Sequence, residues 1–429
     1  MIRSLCITLA TILLLCGSPA VASAQWRLTG CDPTSKNLFV RDVMSDIYLW
    51  YSAMPPLDPA SFGTPEEYLE AVRHRPLDEH FSYITARASN RAFFGESQYV
   101  GLGLSWTLVG RQLRILQVFP DSPASEAGLS RGDRVTAIAG ELVEDLLVSG
   151  RLGDVIGPDE IGISIRVDFV DASGARRGSH LTKRVVTIPT VSLTRTYDAS
   201  GRRVGYIFFR NFVEPSFAAL DAAFAQLSEA RVDDVVLDMR YNGGGLVNVA
   251  RHLASIIGGV RTRGQVFAEY FHNDKNLHRN EVLRFEDKPN AASLGRLIVI
   301  TTPDSASASE LVINALRPFI PVAVIGDRTY GKPVGQYQVE FCDKMLAPVS
   351  FSLRNADGVG DFFGGIPADC PAPDDIGRAL GDPAEASLRE ALTYAATGSC
   401  SRPTSTLQRL VPDRRATRAV GWRSVLNAY

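Results

Sequence analysis

The second half of the chain alternates short apolar runs with segments of helical pattern, and this alternation limits the available folds more than any other feature. The candidate strands are Val204–Phe209, Val232–Met239, Leu297–Thr302 and Val322–Ile325. The candidate helices between them are Phe217–Glu229, Leu246–Ile257 and Ala306–Leu316. Strands that alternate with helices predict a parallel or mixed sheet covered by helices, because the crossover helices must pack on the faces of the sheet.

Two regions of different character precede this core. Residues 36–90 place apolar residues at helical spacing, and Thr64-Pro65 followed by two acids is typical of a helix start. Residues 98–187 break short apolar runs with Gly, Pro and Asp, which indicates a small β module with one short helix at 122–127. We therefore expect an α/β fold of several domains (α+β multidomain), divided as 1–24 signal peptide, 25–95 helical N-terminal region, 96–187 β module, 188–400 α/β core and 401–429 tail.

The first residues predict export. Arg3 precedes the apolar run Leu5–Leu15, and Ala22-Ser23-Ala24 supplies a cleavage site, as in a secretory signal peptide. The run is shorter than the roughly 20 residues of a membrane span, and we expect no span elsewhere. A lipid anchor at Cys16 is the alternative, although bulky Leu15 suits it poorly. We expect a periplasmic protein, with secretion as the other outcome. The net charge of −2 does not indicate the excess positive charge that is typical of proteins that bind nucleic acid.

Four of the six cysteines lie outside the predicted signal peptide. An even number in an exported chain suggests disulfides, and four cysteines allow three connectivities. We expect Cys342–Cys370, which are close in the chain, and Cys31–Cys400, which would join its two ends. Four free buried thiols are the alternative.

Two familiar motifs occur in the wrong context. Ser130 stands in a G-x-S-x-G pattern, but a helix precedes it and a strand follows, the reverse of a nucleophile elbow. The segment Gly326–Lys332 resembles a phosphate-binding loop, but Pro333 replaces the required Ser or Thr. The six histidines form no metal-binding pair by spacing. We therefore expect no nucleotide, metal or other cofactor.

Three segments that follow predicted strands have the residues for acyl transfer. Ser305-Ala-Ser-Ala-Ser-Glu310 brings small hydroxyl residues to a helix start, where free N–H groups favour a developing oxyanion. Lys332 follows the next strand and, if kept neutral by burial, can act as the base for a serine. The glycines of Asp238–Gly245 allow close backbone approach. Taken singly, these segments are more typical of a helix cap and of tight turns than of a catalytic site.

The order of these three segments resembles the C-terminal processing (tail-specific) proteases, the S41 serine peptidases. The resemblance spans about residues 36–398. It implies a serine-type endopeptidase with a Ser–Lys dyad that needs no cofactor. The implied site is Ser307 as nucleophile, Lys332 as base, Gln336 as the residue that orients the lysine, and the N–H groups of Ala308 and Gly244 as oxyanion donors. Pro333 and Pro318 depart from the family pattern, where glycine and an acid are found.

The β module resembles a PDZ domain, which binds a peptide end as an added strand. The implied carboxylate-binding loop is Gly101, Leu102, Gly103 and Leu104. The implied partners are polypeptides with exposed C-terminal tails, and an adaptor protein is left open as a further partner. Two other functions also stay open: a non-catalytic peptide-binding scaffold with a protease-like core, and an exported hydrolase of small esters or lipids.

Overall fold

The computed structural model of the protein describes residues 26–401. The predicted signal peptide and residues 402–429 of the predicted tail lie outside this range. The described chain forms an N-terminal region, a β module and a larger core, and the α/β class expected from the sequence is confirmed. None of the helices between residues 26 and 401 is both long and apolar enough to cross a membrane.

The N-terminal region is mainly helical but includes one strand. Thr64 caps the second helix as expected, since its hydroxyl accepts the Glu67 N–H at 3.2 Å. The strand corrects the all-helical expectation: residues 83–86 pair with a strand near residue 345, a partner that local helical spacing cannot reveal. The elements are α1 (Pro33–Ile47), α2 (Pro65–Val72), β1 (Tyr83–Ala86) and α3 (Arg87–Glu96), with 3₁₀ turns at Tyr51–Ala53 and Pro59–Ser61.

The β module is an antiparallel sheet with short helices beside it. Its main strands lie in the order β3-β4-β5-β7-β8, β6 pairs with β5, and β2 pairs separately with β9. The elements are β2 (Gln98–Gly101), β3 (Leu104–Val109), β4 (Gln112–Val118), α4 (Pro123–Glu126), β5 (Arg134–Ile138), β6 (Glu141–Leu142), α5 (Val143–Ser149), α6 (Leu152–Ile156), β7 (Ser164–Val170), β8 (Arg176–Thr182) and β9 (Arg184–Thr187). Strand β3 is therefore at one edge of its sheet among the described residues.

The core contains the predicted alternation of strands and helices. The first half runs β10 (Val191–Ala199), β11 (Arg202–Phe209), α7 (Ser216–Glu229), β12 (Asp234–Asp238), α8 (Val247–Gly258), β13 (Val266–Phe271) and β14 (Val282–Arg284). The second half runs β15 (Leu297–Thr301), α9 (Ala308–Leu316), β16 (Val322–Gly326), β17 (Val334–Gln336), β18 (Val339–Phe341), β19 (Lys344–Ala347), β20 (Val349–Arg354), β21 (Cys370–Pro371) and α10 (Ala386–Thr397). Two 3₁₀ segments, Gly259–Arg261 and Asp274–Arg279, complete it.

A six-stranded mixed sheet organises the core. Its order is β10-β11-β12-β15-β16-β21, and all neighbours are parallel except the β10–β11 pair. Helices α7, α8 and α9 pack in the apolar cluster on one face, and α10 packs in the cluster on the other. Two smaller sheets, β14-β13-β20-β17 and β1-β19-β18, join this core to the N-terminal region.

The four cysteines form two disulfides, but the expected pairing is wrong. The bonds are Cys31–Cys342 and Cys370–Cys400. Cys342 lies in the β18–β19 hairpin beside the start of α1, whereas Cys370 begins β21 at the edge of the six-stranded sheet. Nearness in the chain was a poor guide, because these two cysteines belong to different sheets.

Candidate active site

Three loops meet at the carboxyl ends of neighbouring parallel strands. Strand β12 leads into 239–246, β15 into 302–307, and β16 into 327–333. Since parallel strands end on the same side of a sheet, these loops lie side by side, which is where α/β sheets place their sites. The three segments singled out in the sequence are therefore brought together by the fold.

The serine-rich segment contains three serines in different environments. Ser305 and Ser309 are buried, and their hydroxyls donate to the carbonyl oxygens of Met239 and Asn242, both at 2.8 Å. Ser307 is partly exposed and lines a cavity. Ser305 and Ser309 thus tie this segment to the loop after β12, and Ser307 is the serine of the three that faces the cavity.

Ser307 has an unusual backbone conformation at the start of α9. Its φ is +55° and its ψ is −113°, which a side-chain-bearing residue adopts only when its surroundings enforce it. Its N–H donates to the Glu310 carboxylate at 2.9 Å. The serine is thereby fixed at the junction of loop and helix.

Lys332 lines the same cavity as Ser307 and is only 4% exposed. Its Nζ donates to Gln336 Oε1 at 2.9 Å, so the expected contact between lysine and glutamine is present. Gln336 is fixed in turn, because its Nε2 donates to the Phe81 carbonyl at 2.6 Å. The Phe81 ring also lies 5.7 Å from Nζ, in cation–π range. No sequence pattern indicated this role for Phe81.

Glu310 connects the serine loop to the lysine loop, a role that our sequence analysis missed. Its side chain is fully buried. One carboxylate oxygen accepts the N–H groups of Ser307 and Lys332, at 2.9 and 2.8 Å. The other accepts the Thr329 hydroxyl at 2.5 Å and the Gly331 N–H at 2.8 Å. The Ser-x-x-Glu spacing of a capping box was the available signal.

This arrangement also explains the phosphate-loop resemblance, because the N–H groups of that loop bind an internal carboxylate. Burial raises the pKa of Glu310 above its ordinary value, and the hydrogen bonds that it accepts oppose this rise.

The two expected oxyanion donors lie next to Ser307. Gly244 has a φ of +97°, and a Cβ there would lie 2.8 Å from both Ala308 N and Ser307 Cβ, so only glycine fits. The Gly244 N–H, however, donates to Asn242 Oδ1 at 3.0 Å. Ala308 is the first residue of α9, a position whose N–H has no acceptor within the helix.

The cavity has a volume of about 170 Å³ and is largely apolar. Ser307, Ala308, Lys332 and Gln336 are among the residues that line it. Its apolar lining includes Phe94, Leu246, Leu311, Phe351, Leu353 and Phe362. A side chain bound here would leave water for an apolar surface, which favours apolar groups.

The expected carboxylate-binding loop connects β2 to β3. Gly101 ends β2, and the side chains of Leu102 and Leu104 are buried in the apolar core of the module. Gly103 has a φ of +83°, and a Cβ there would lie only 2.0 Å from the Cβ of Ser122. The loop therefore leads into β3, which is an edge strand of its sheet within residues 26–401.

A buried network of charges joins the β module to the core beside the glycine loop. Arg131 of the module donates to the Tyr241 hydroxyl and to Asp374, both at 2.8 Å. Arg240 binds the same aspartate at 3.0 Å and pairs with Asp238 at 2.7 Å. Burial alone would raise the pKa of Asp374, but the two arginines hold it below its ordinary value. Nothing in the sequence analysis indicated this network.

Comparisons with known proteins agree with this arrangement. A model described as Peptidase family S41 matches residues 203–370, and one described as the Peptidase S41 N-terminal domain matches residues 35–83. Together they cover about half of the chain.

Two relatives are named as proteases that process carboxyl termini, and one solved structure has a similar fold. The carboxy-terminal-processing protease of Bartonella bacilliformis is 25% identical over 262 residues, 60% of this chain and 57% of that protein. The carboxyl-terminal-processing protease of Synechocystis is 27% identical over 249 residues, 58% of this chain and 56% of that protein. A structure assigned to the S41 proteases, from Bacteroides fragilis, has a TM-score of 0.67 at 23% identity and covers 83% of this chain and 97% of its own. The match thus spans little more than half the length of the two relatives.

Proposed function

The chain belongs to peptidase family S41, and from this premise we propose that it is an exported serine endopeptidase with a Ser307–Lys332 dyad. The observation that carries the proposal is that Ser307, the cavity-facing serine of its segment, shares its cavity with a buried lysine held by Gln336. A serine hydroxyl needs a nearby base to attack a peptide bond, and the amine of a buried lysine can serve. The two relatives are named as proteases that process carboxyl termini, and this similarity supports a peptide bond as the bond that is cleaved.

In the proposed reaction, Ser307 Oγ attacks the carbonyl carbon of the scissile bond while Lys332 Nζ accepts the hydroxyl proton. The lysine must be neutral at this point, and burial disfavours its charged form. The C–N bond then breaks, and the lysine returns the proton to the leaving amine. A water molecule next attacks the acyl ester on Ser307 and gives its proton to Lys332. The bond between the carbonyl carbon and Ser307 Oγ then breaks, and Lys332 returns the proton to Oγ, which releases the acid and regenerates the serine.

The tetrahedral intermediates place a negative charge on the former carbonyl oxygen. We propose that the Ala308 N–H is one donor to this oxygen, since it starts α9 and the positive end of the helix dipole lies there. The Gly244 N–H is the proposed second donor. Because it is bonded to Asn242 in this structure, the bound substrate must compete with that amide for it.

The proposed substrates are polypeptides whose apolar C-terminal tails bind the β module. The free edge of β3 can extend a tail as a strand, and the residues of the loop Gly101–Leu104 would hold its terminal carboxylate. The apolar cavity beside Ser307 favours an apolar residue at the cleaved bond. Two disulfides suit an oxidising compartment, which supports export to the periplasm. An adaptor that delivers substrates is compatible with this scheme.

The test uses a 20-residue peptide with an apolar C-terminus, as the free acid and as the amide, followed by mass spectrometry. The parent should cleave the acid faster than the amide, and Ser307→Ala and Lys332→Ala should each cleave neither. Ser130→Ala is the matched control and should retain parental activity, because Ser130 lies in the G-x-S-x-G pattern that lacks the structural context of a nucleophile elbow. Cleavage by Ser307→Ala at the parental rate would refute the assigned nucleophile, and equal cleavage of acid and amide would refute recognition of the tail.

A further inference from the structure

The proposed carboxylate-binding loop already binds a group of the same chain. The Gly103 N–H donates to the Tyr99 hydroxyl at 3.1 Å. Backbone N–H groups at this point of the loop are the donors that a peptide carboxylate needs. A carboxylate and the Tyr99 hydroxyl therefore compete for the same donor.

The loop is shaped around this tyrosine. A Cβ at Gly101 would lie 2.4 Å from Cε2 of the Tyr99 ring, so the glycine leaves the space that the ring fills. The ring packs edge-on against Phe119, with centroids 6.2 Å apart, in an apolar cluster with Ile188 and Val213. Tyr99 is only 8% exposed. The contact is thus a packed part of the structure, unlike the transient contact of a surface side chain.

The chemistry of the tyrosine suits a neutral occupant. Burial raises the pKa of Tyr99, and the hydrogen bond from the Gly103 amide only partly opposes this rise. The group in the loop is therefore a neutral hydroxyl at physiological pH. A carboxylate is a stronger acceptor for the same N–H groups because it is charged, so a tail can displace the hydroxyl if it also binds along β3.

We propose that Tyr99 is a latch that closes the carboxylate-binding loop, and that a substrate tail must displace its hydroxyl to bind. This inference rests on the proposed recognition of C-terminal tails by the β module. The latch lowers the affinity for every tail, so short or weakly held tails are rejected. Tails that also gain apolar contacts along β3 overcome it, since only their additional binding energy offsets the free energy needed to displace the hydroxyl.

The test measures tail binding with the Tyr99 hydroxyl removed. The exported full chain carries Ser307→Ala so that it cannot cleave the probe. The probe is a fluorescein-labelled ten-residue peptide ending in Val-Ala-Val, as the free acid and as the amide, and affinity is read by fluorescence anisotropy. Tyr99→Phe keeps the ring and removes the hydroxyl. Tyr68→Phe is the matched control, because Tyr68 is also buried but lies on α2, outside the module.

We expect Tyr99→Phe to bind the free acid about tenfold more tightly, since the Gly103 N–H no longer has to be freed from the hydroxyl. The amide should not gain affinity, and Tyr68→Phe should match its parent for both peptides. Unchanged or weaker binding of the acid by Tyr99→Phe overturns the latch. If the parent nevertheless binds the acid more tightly than the amide, tail recognition stands and the latch alone is wrong. If neither the parent nor Tyr99→Phe prefers the acid, both proposals fail.

Hydrogen exchange of the Gly103 amide gives a second reading that is independent of the peptide. The amide should exchange at least about tenfold faster in Tyr99→Phe than in the parent, because its acceptor has gone. An unchanged exchange rate means that the hydroxyl does not hold the loop, and it overturns the latch as well.

Discussion

Replacing Glu310 with glutamine tests how the site is held together. The carboxylate accepts four hydrogen bonds, from Ser307 N, Lys332 N, Gly331 N and the Thr329 hydroxyl, at distances of 2.5 to 2.9 Å. An amide has one oxygen and one NH₂ group. Glu310→Gln therefore keeps the shape of the side chain but removes half of its acceptors.

The cost depends on which way the introduced amide turns. With its oxygen toward Ser307 and Lys332, the NH₂ group faces the Thr329 hydroxyl and the Gly331 N–H. The hydroxyl can turn to accept from the NH₂ group, whereas the Gly331 N–H loses its acceptor in a buried place. One such donor costs about 1–3 kcal/mol. With the amide reversed, both Ser307 N and Lys332 N lose their acceptor, at about twice that cost. The first orientation should prevail, and we expect the free energy of unfolding to fall by about 1–3 kcal/mol.

The effect on catalysis should exceed the effect on folding. The Gly331 peptide adjoins Lys332, and a misplacement of about 1 Å at a reacting group can cost roughly 100-fold in rate. We expect kcat for peptide cleavage to fall by about that factor, with KM nearly unchanged, because the cavity lining is intact. Urea unfolding and steady-state kinetics measure the two quantities on the same sample.

Glu390→Gln is the matched control. Glu390 is also a buried carboxylate and accepts the Ser401 N–H at 2.8 Å, but it lies on α10, on the other face of the sheet from α9. This variant should lose stability with kcat unchanged. If folded Glu310→Gln instead cleaves at the parental rate, the glutamate does not position the two loops and the reasoning is refuted.

Three further predictions follow from the same contacts. Gln336→Ala should lower kcat about 10- to 100-fold with little change in KM, because Gln336 holds Lys332. Gln338 lines the same cavity but accepts a hydrogen bond from Asn90, so Gln338→Ala should leave kcat unchanged. Equal kinetics in the two variants would refute the orienting role of Gln336. Burial raises the pKa of Glu310 above its ordinary value of 4.5, so this carboxyl gains its proton at a higher pH in the folded protein than in the unfolded chain. This protonation does not itself lower the free energy of unfolding, but it removes an acceptor from the two loops. Peptide cleavage should therefore fall with decreasing pH before stability does; unfolding at each pH checks this order, and simultaneous loss would contradict it. Replacing both cysteines of Cys31–Cys342 with serine should lower the unfolding free energy about 2 kcal/mol more than the same change at Cys370–Cys400, because it opens the longer loop; chemical denaturation measures both, and the reverse order would contradict the loop-length argument.

The four inner strands of the central sheet were predictable because they are mostly buried. Every residue of β12 and of β15 is buried, and each strand contains a short apolar run, Val235–Leu237 and Leu297–Ile300, that a local pattern detects. Strand β1 escaped detection for the opposite reason. Its residues are half-buried or exposed, and it is a strand only because it pairs with β19, about 260 residues further along the chain.

The site divides in the same way. The loops of Ser307 and Lys332 could be placed together because each follows a strand of one parallel sheet. The positions that complete the site depend on groups with no sequence pattern, such as the Phe81 carbonyl, which holds Gln336 across about 255 residues. The disulfide pairing failed likewise, since it depends on which sheets the cysteines join. Long-range contacts of this kind depend on how distant segments pack together, and the spacing of residues within one segment does not predict that packing.

The most direct test of the dyad is to trap the acyl group on the chain. The purified protein is mixed with a p-nitrophenyl ester of an apolar N-acyl amino acid, quenched in acid within milliseconds to seconds, digested and analysed by mass spectrometry. Attack by Ser307 Oγ expels p-nitrophenol and leaves the acyl group as an ester on that serine. We expect this mass increase on the fragment containing Ser307, and we expect no mass increase in Lys332→Ala. An acyl group on Ser130 or on another residue, or equal labelling of Lys332→Ala, would contradict the Ser307–Lys332 dyad.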